Sequence, residues 1–326
     1  MGSSASRVIR VISLLGLVGG LFAVQVFLKE PESTLLWNEL FNSGHAPLYG
    51  VLSLVVLGLL DAIRPSWQRG RRYLEAFWIT FFAGAIMELL QRFGAREPQI
   101  ADLLRNAAGI LAFLAVAASF DRDLLPTGSR GRAKKRIVLW AGAFVALGLA
   151  FVPVIVAVGA LVARDRAFPV VCGFDTVWER QLLRVSEDAE IAYRKPPDAW
   201  RRGRDDLAGY VTFLAGRYPI LTLNDPYPDW TGYDSLSFTV YSELSEPATV
   251  TLWVADDHHV AGDLGSFRRR LEIEPGENRF DVPLADIRTK ARNRELDLTR
   301  IHKAAIYASK VEQPFSLFLD DFRLNY

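Results

Sequence analysis

The sequence predicts a chain in two parts, an all-α bundle of five membrane-spanning helices over residues 1–163 followed by an all-β antiparallel sandwich over residues 164–326. Three observations predict it. Half of the 326 residues are hydrophobic and the mean hydropathy is +0.14, which argues against an ordinary soluble enzyme. The first half holds long apolar runs, each near the ~20 residues that cross a bilayer as helix, whereas the second half reads as short alternating segments between turn residues. The formal charge of +1 also conceals two unlike halves, since residues 1–163 carry 16 Lys/Arg against 10 Asp/Glu and residues 164–326 carry 22 against 27. Such a split argues against a nucleic-acid binder and for halves that sit in different surroundings. With a single cysteine, Cys172, the sequence excludes an internal disulfide and any multi-cysteine metal site.

The apolar runs are 8–28, 46–63, 73–91, 101–120 and 137–163. The first ends in Val24-Gln25-Val26-Phe27-Leu28-Lys29-Glu30 without a small-x-small cleavage pattern, so a retained anchor is expected. Orientation follows from Lys and Arg in the short connections. Arg7 and Arg10 lie at the start of the first run, Arg64, Arg69, Arg71 and Arg72 follow the second, and Arg122, Arg130, Arg132, Lys134, Lys135 and Arg136 separate the fourth from the fifth. The opposite side has only Lys29, Arg92 and Arg96. A multi-pass protein of the cell (inner) membrane is expected, with a cytoplasmic amino terminus and everything after residue 163 outside.

Ionisable side chains inside a span cost about 2.5–3.5 kcal/mol each at its centre and so ask for a reason. His45 opens the second span, Glu88, Gln91 and Arg92 close the third, Arg96 lies in the loop, and Asp102, Arg105 and Asn106 open the fourth. All fall near the outer face. Glu88, Gln91 and Arg92 are spaced i, i+3, i+4, and Asp102, Asn106 and Gly109 are spaced i, i+4, i+7, so each group lines one helical stripe. Gly109 lets a neighbouring helix approach. One outward-opening polar pocket is expected. The plainer alternative is a local Glu88–Arg92 ion pair, with Asn106 as helix-to-helix glue.

His45 with Tyr49, Glu88-x-x-Gln91, Arg96 and Asp102-x-x-x-Asn106-x-x-Gly109 together resemble the VanZ-like family of small membrane proteins over roughly residues 35–120. That family takes its name from a protein linked to glycopeptide (teicoplanin) resistance, so the resemblance implies dealings with the cell envelope. The acidic residue and Lys that often precede the His are replaced here by Asn42 and Ser43-Gly44.

In the second half, alternation is clear at 236–240, 250–254, 280–284 and 315–319, with further strands expected at 209–214, 218–224, 267–273 and 304–309. Glu274-Pro275-Gly276-Glu277-Asn278 reads as a turn and 285–292 as a short helix. About eight strands without long helices between them argue an antiparallel sandwich. Pro228-Asp229-Trp230-x-Gly232-Tyr233-Asp234, the Glu-Pro-Gly-Glu-Asn turn and the closing Leu319-Asp320-Asp321 resemble galactose-binding-like jelly rolls, which occur as carbohydrate-binding modules. Many of those hold a structural calcium near the closing Asp pair, and Asp320 and Asp175 are the corresponding candidates. An Asp pair capping a strand end is the alternative. For a sugar, flat aromatic faces beside hydrogen-bonding groups are wanted. Trp253, Asp256, His258, Tyr227 and Trp230 are the candidates, with Trp200 and Tyr233 behind them. Trp253 is favoured because it lies between inward Leu252 and Val254.

No phosphate loop, nucleophile elbow or HExxH motif is present. The expected function is therefore an envelope protein whose bundle meets membrane lipid and whose sandwich binds glycan or lipid-linked sugar, without nucleic acid. A membrane enzyme on a lipid-linked precursor, with Glu88 and Asp102 as acid and base, is the alternative. A scaffold for a protein partner is the third reading.

Overall fold

The computed structural model describes residues 2–27, 34–91, 100–128, 130–198, 200, 207–259, 265–291 and 294–326. The chain divides into two compact units, Met1–Ile155 and Val156–Tyr326, so the division falls inside the last long helix rather than at its end.

Among the described residues, the first unit is built of helices. Helices α1 (Gly2–Phe27), α3 (His45–Ile63), α4 (Arg69–Gln91), α5 (Ile100–Phe120) and α6 (Arg132–Ala167) cover the five expected runs. A short helix that the sequence reading lacked, α2 (Leu35–Ser43), precedes α3 and is capped by the Thr34 hydroxyl, which accepts from the Trp37 amide. Among the described residues four helical stretches, rather than the five expected, are long and apolar enough to cross a membrane: Leu35–Ile63, Arg69–Leu90, Ile100–Phe120 and Arg132–Ala167; the first expected run contributes the shorter apolar stretch Val11–Leu21. Their large apolar side chains stay exposed on the unit's surface, among them Phe82, Ile86, Leu104, Leu111, Phe144 and Leu149. In water that surface would be costly, and in lipid it is at home.

Helix α3 is the centre of the unit. Tyr49, Leu52, Leu57 and Leu60 pack with Ala76 of α4 and with Ile110 and Leu114 of α5. Glycines set how closely the helices meet. A Cβ at Gly109 would overlap the Ala46 carbonyl, and one at Gly50 would overlap the Phe113 ring, so α3 and α5 touch backbone to backbone as small residues allow in lipid. Two opposite ends result. At one end α3 and α5 begin and α4 finishes. At the other, Arg69 reaches both Asp61 and Asp121, Arg72 meets Asp61 at 2.7 Å, and the Tyr73 hydroxyl donates to Asp121 at 3.0 Å. The Asp121 carboxyl, just past the end of α5, is held below the usual carboxylate range. Burial alone would raise it, but the bonds from Arg69, the Asp123 amide and Tyr73, with the Arg69 charge, outweigh that.

The second unit is a sandwich of two antiparallel sheets. Its strands are β1 (Val170–Cys172), β2 (Leu183–Val185), β3 (Ala189–Arg194), β4 (Ala208–Phe213), β5 (Ile220–Asn224), β6 (Ser235–Ser242), β7 (Ala248–Asp256), β8 (Phe267–Ile273), β9 (Gly276–Pro283), β10 (Ile301–Tyr307) and β11 (Phe315–Asn325). One sheet runs β3-β4-β11-β6-β9 with β1 beside β11, and the other runs β2-β5-β10-β7-β8. Val211, Phe213, Phe238, Val240, Leu317 and Leu319 of the first sheet are buried, as are Leu221, Leu252, Val254, Leu271 and Ile306 of the second. Each such side chain contributes roughly 1.5–3 kcal/mol on full burial.

All eight expected strands are present. The one expected at 280–284 ends at Pro283, because Leu284 already begins the helix α7 (Leu284–Thr289). The turn at 274–278 is a corner between the two sheets rather than a hairpin, since β8 pairs with β7 and β9 with β6. Gly276 takes φ +93° there, and the Asn278 side chain closes the corner with bonds to the Glu274 amide at 2.9 Å and carbonyl at 2.8 Å.

Candidate functional site

The polar end of the bundle brings together residues from three helices. His45, Glu88 and Asp102 are all buried, and one ligand atom from each lies within 4.8 Å of the others. His45 Nδ1 stands 3.5 Å from Glu88 Oε1. The Asp102 carboxylate is bonded by Arg105, whose other nitrogen lies 3.7 Å from Glu39 of α2. Arg105 is thereby engaged with two carboxylates, and it ties the short helix α2 to α5.

Helical spacing builds a second layer about 6 Å deeper. Tyr49 is one turn on from His45, Gly84 one turn before Glu88, and Asn106 one turn on from Asp102. A Cβ at Gly84 would stand 2.9 Å from the Tyr49 ring and 3.0 Å from Asn106 Nδ2. Gly84 is therefore the gap into which the Tyr49 ring and the Asn106 amide fit. Asn106 is completely buried, and neither end of its amide has a hydrogen-bond partner among the described residues. Of the expected pocket, His45, Glu88, Asp102 and Asn106 come together. Arg92 and Arg96 lie outside the described residues, as does the side chain of Gln91 at the end of α4. Tyr49, named beside His45 in the sequence motif but not as part of the pocket, lies in this deeper layer, while Gly84 and Glu39 were missed, although the i, i+4 spacing of Gly84 from Glu88 was there to read.

On the sandwich, Trp253 is half-buried and faces away from Leu252 and Val254, which are buried. With Tyr218, Ile220, Tyr307 and Arg268 it lines an open depression of about 370 Å³. Strand register explains the grouping. Trp253 pairs with Arg268 on one side and Ala305 on the other, and Tyr307, two residues along, shares its face. Tyr307, Tyr218 and Arg268 were not expected, although Tyr307 lies two residues after Ala305 in a strand the sequence marks, and so on the same face.

Two of the sugar candidates are buried. Trp230 is fully buried, its indole N–H donating to the Tyr227 carbonyl at 2.8 Å, so it presents no face to a ligand. Asp256 is buried as well. It receives Arg294 through both oxygens and the Asp297 amide at 2.9 Å, and these hold its carboxyl below the usual range against the opposing effect of burial. Tyr227 is occupied by stacking on Phe168 at 4.0 Å. His258 is exposed and sits 2.9 Å from Asp257, and His259 sets its ring edge against Trp253 at 5.3 Å. Trp200 packs on the other sheet, stacked on Tyr241 at 5.6 Å, while Tyr233 stacks on Tyr326 at 4.5 Å. Asp175 accepts from the Leu207 amide at 3.0 Å and Asp320 from the Asp321 amide at 2.7 Å. Among the described residues, the group of three or more His, Cys, Asp or Glu with metal-ligand spacing is the one in the bundle.

No family model matches the chain, and no curated protein matches it. The chain is similar to solved β-sandwich structures. An exo-β-agarase is 16% identical with a TM-score of 0.39, over 48% of this chain and 24% of that one. The family 11 carbohydrate-binding module from Clostridium thermocellum, in complex with a β-1,3-1,4-mixed-linked tetrasaccharide, is 15% identical with a TM-score of 0.34, over 44% of this chain and 86% of that one. A family 30 module from a cellulase of the same organism is 13% identical with a TM-score of 0.33, over 48% and 91%. The chain thus spans about a quarter of the agarase's length, and likenesses this slight say nothing of what it binds.

Proposed function

We propose that this chain is a multi-pass envelope protein that carries a glycan-binding sandwich outside the cytosol, together with a VanZ-like bundle whose polar end meets a lipid or glycan head group. The observation that carries the sandwich half is the aromatic depression of Trp253, Tyr307 and Tyr218 with Arg268 at its side. A pyranose has an apolar face and a polar rim, and an indole with two phenol rings and a guanidinium offers the complement of both. Trp253→Ala in the full-length protein should weaken retention on a polysaccharide array roughly tenfold or more, equivalent to about 1.4 kcal/mol. Retention left intact by that variant, or no polysaccharide held by the wild type, ends this reading.

The convergence of Glu88 and Asp102 beside His45 favours a second reading, in which the bundle acts on a lipid-linked precursor with the two carboxylates as acid and base. Glu88→Gln and Asp102→Asn would then insert normally and fail to turn over a radiolabelled lipid-linked saccharide. Full turnover by both variants rejects the enzyme reading and leaves the binding one standing.

A further inference from the structure

The buried triad at the polar end of the bundle has the composition and spacing of a metal site, whatever the sandwich binds. We propose that His45, Glu88 and Asp102 hold one divalent first-row transition ion inside the bundle. The donor set is one imidazole nitrogen and two carboxylates, delivered from three different helices. That mixture suits ions of the Mn²⁺ to Zn²⁺ series, for which both donor types are ordinary ligands, better than the all-oxygen shells of calcium. The spacing agrees. Two ligands on one tetrahedral ion with bonds of ~2.1 Å are ~3.4 Å apart, and His45 Nδ1 and Glu88 Oε1 are 3.5 Å apart. Asp102 completes a group whose ligand atoms all lie within 4.8 Å of one another.

The surroundings are built as metal sites are built. Three protein ligands leave a fourth position open for water or substrate. Arg105 bonds Asp102 from outside and fixes its orientation, the task that hydrogen-bonded outer partners perform for metal ligands. Beneath the triad lies Asn106, completely buried, with neither amide atom bonded among the described residues. A buried amide left in that state costs about 1–3 kcal/mol per polar atom. A water held by an ion one turn above would donate to the Asn106 Oδ1. Packing alone does not account for this arrangement, because a leucine would fill the same space at lower cost.

The full-length protein in mild detergent, stripped with EDTA and titrated with Zn²⁺, is expected to take up one ion per chain in competition with the chelator. Glu88→Gln and Asp102→Asn, checked for unchanged helical circular dichroism, should each weaken uptake by more than ~100-fold. Asn106→Ala should weaken it by the roughly 10- to 100-fold typical of an outer partner. A double His258→Ala, His259→Ala variant should bind as the wild type does. Should the carboxylate variants fail to fold, wild-type protein loaded with Mn²⁺ decides, since its electron spin-echo modulation should carry the nitrogen of one imidazole. No tight equivalent in the wild type, full affinity in either carboxylate variant, or bound Mn²⁺ without nitrogen modulation would overturn the site.

Discussion

Gly109 and Asp256 each show a single side chain, or the lack of one, deciding what its neighbourhood can be. Gly109 is where α3 and α5 touch, and an added Cβ would run into the Ala46 carbonyl, which is backbone and cannot rotate away. Gly109→Ala should therefore cost at least the ~1–3 kcal/mol of ordinary overpacking. Gly142 in α6 has nothing within 4 Å of an added Cβ, so Gly142→Ala should gain the ~0.5–1 kcal/mol by which alanine exceeds glycine in a helix. Opposite shifts in melting temperature in one detergent would check the pair. Asp256 carries a pH signature. Its folded pKa lies below the ~3.9 of an unfolded aspartate, so its contribution is present above about pH 4 and is lost as pH falls through the folded value. Asp256→Asn lacks that contribution at every pH. The variant should expose β7 to hydrogen exchange more readily than the wild type at pH 6, by about 1–3 kcal/mol, and the gap should close toward pH 3.

Between elements, the strongest ties are those whose charges are shielded. Arg69 joins α3 to the segment after α5 through Asp61 and Asp121, with the arginine side chain 20% exposed and Asp121 only 7%. Arg71, two residues on, pairs with Glu75 on the open surface of α4, where such pairs contribute about 0.3–0.5 kcal/mol. Arg69→Ala takes one partner from each of two partly buried carboxylates, leaving Asp61 to Arg72 and Asp121 to Tyr73 and the Asp123 amide, and should still destabilise the bundle more than Arg71→Ala in the same thermal melt. Nothing in the sequence separates these two arginines. Both count as positive charges in one connector, and only the fold puts Asp61 and Asp121 around the first. The same limit appears elsewhere. Long apolar runs announced the helices, but α2 escaped because Asn38, Glu39 and Asn42 break its apolar text. Three-residue strands such as β1 and β2 are too short for alternation to register. The Glu274-Pro-Gly corner was legible as a turn, yet which sheet each flanking strand joins is set by pairing partners far away in sequence. In the bundle, helical spacing put Asp102 and Asn106 on one stripe because i, i+4 geometry is local, whereas His45 and Glu88 stood out as ionisable residues near span ends, and the packing of α3, α4 and α5 is what brings them within reach of Asp102. Strand alternation, equally local, found Trp253, and it already set Asp256, three residues along in the same strand, on the opposite face.

At the scale of the whole chain the governing question is which compartment each part faces. The ends of α3, α4 and α5 separate two kinds of chemistry. One holds His45, Glu88 and Asp102, and the other holds Asp61, Arg69, Arg72 and Asp121 beside the arginine-rich connectors. The Ser43 hydroxyl bonds the Ala150 carbonyl of α6 at 3.1 Å, so α6, which starts from the basic connector at Arg132, has by Ala150 returned to the level of His45. Under the topology proposed above from the bias of Lys and Arg toward cytoplasmic loops, the basic connectors would lie in the cytosol and residues after 163 outside it. The lone native cysteine, Cys172, is only 2% exposed, and burial pushes its thiol pKa up, which leaves little reactive thiolate. Single engineered cysteines can thus be read without background. Gln68→Cys, exposed between α3 and α4, should react with an impermeant maleimide only after the cells are permeabilised, whereas Glu187→Cys, exposed in the sandwich, should react on intact cells. The reverse pattern would put the triad and the sandwich in the cytosol and remove any route to extracellular glycan. Equal labelling of both on intact cells would mean that the helices do not all cross.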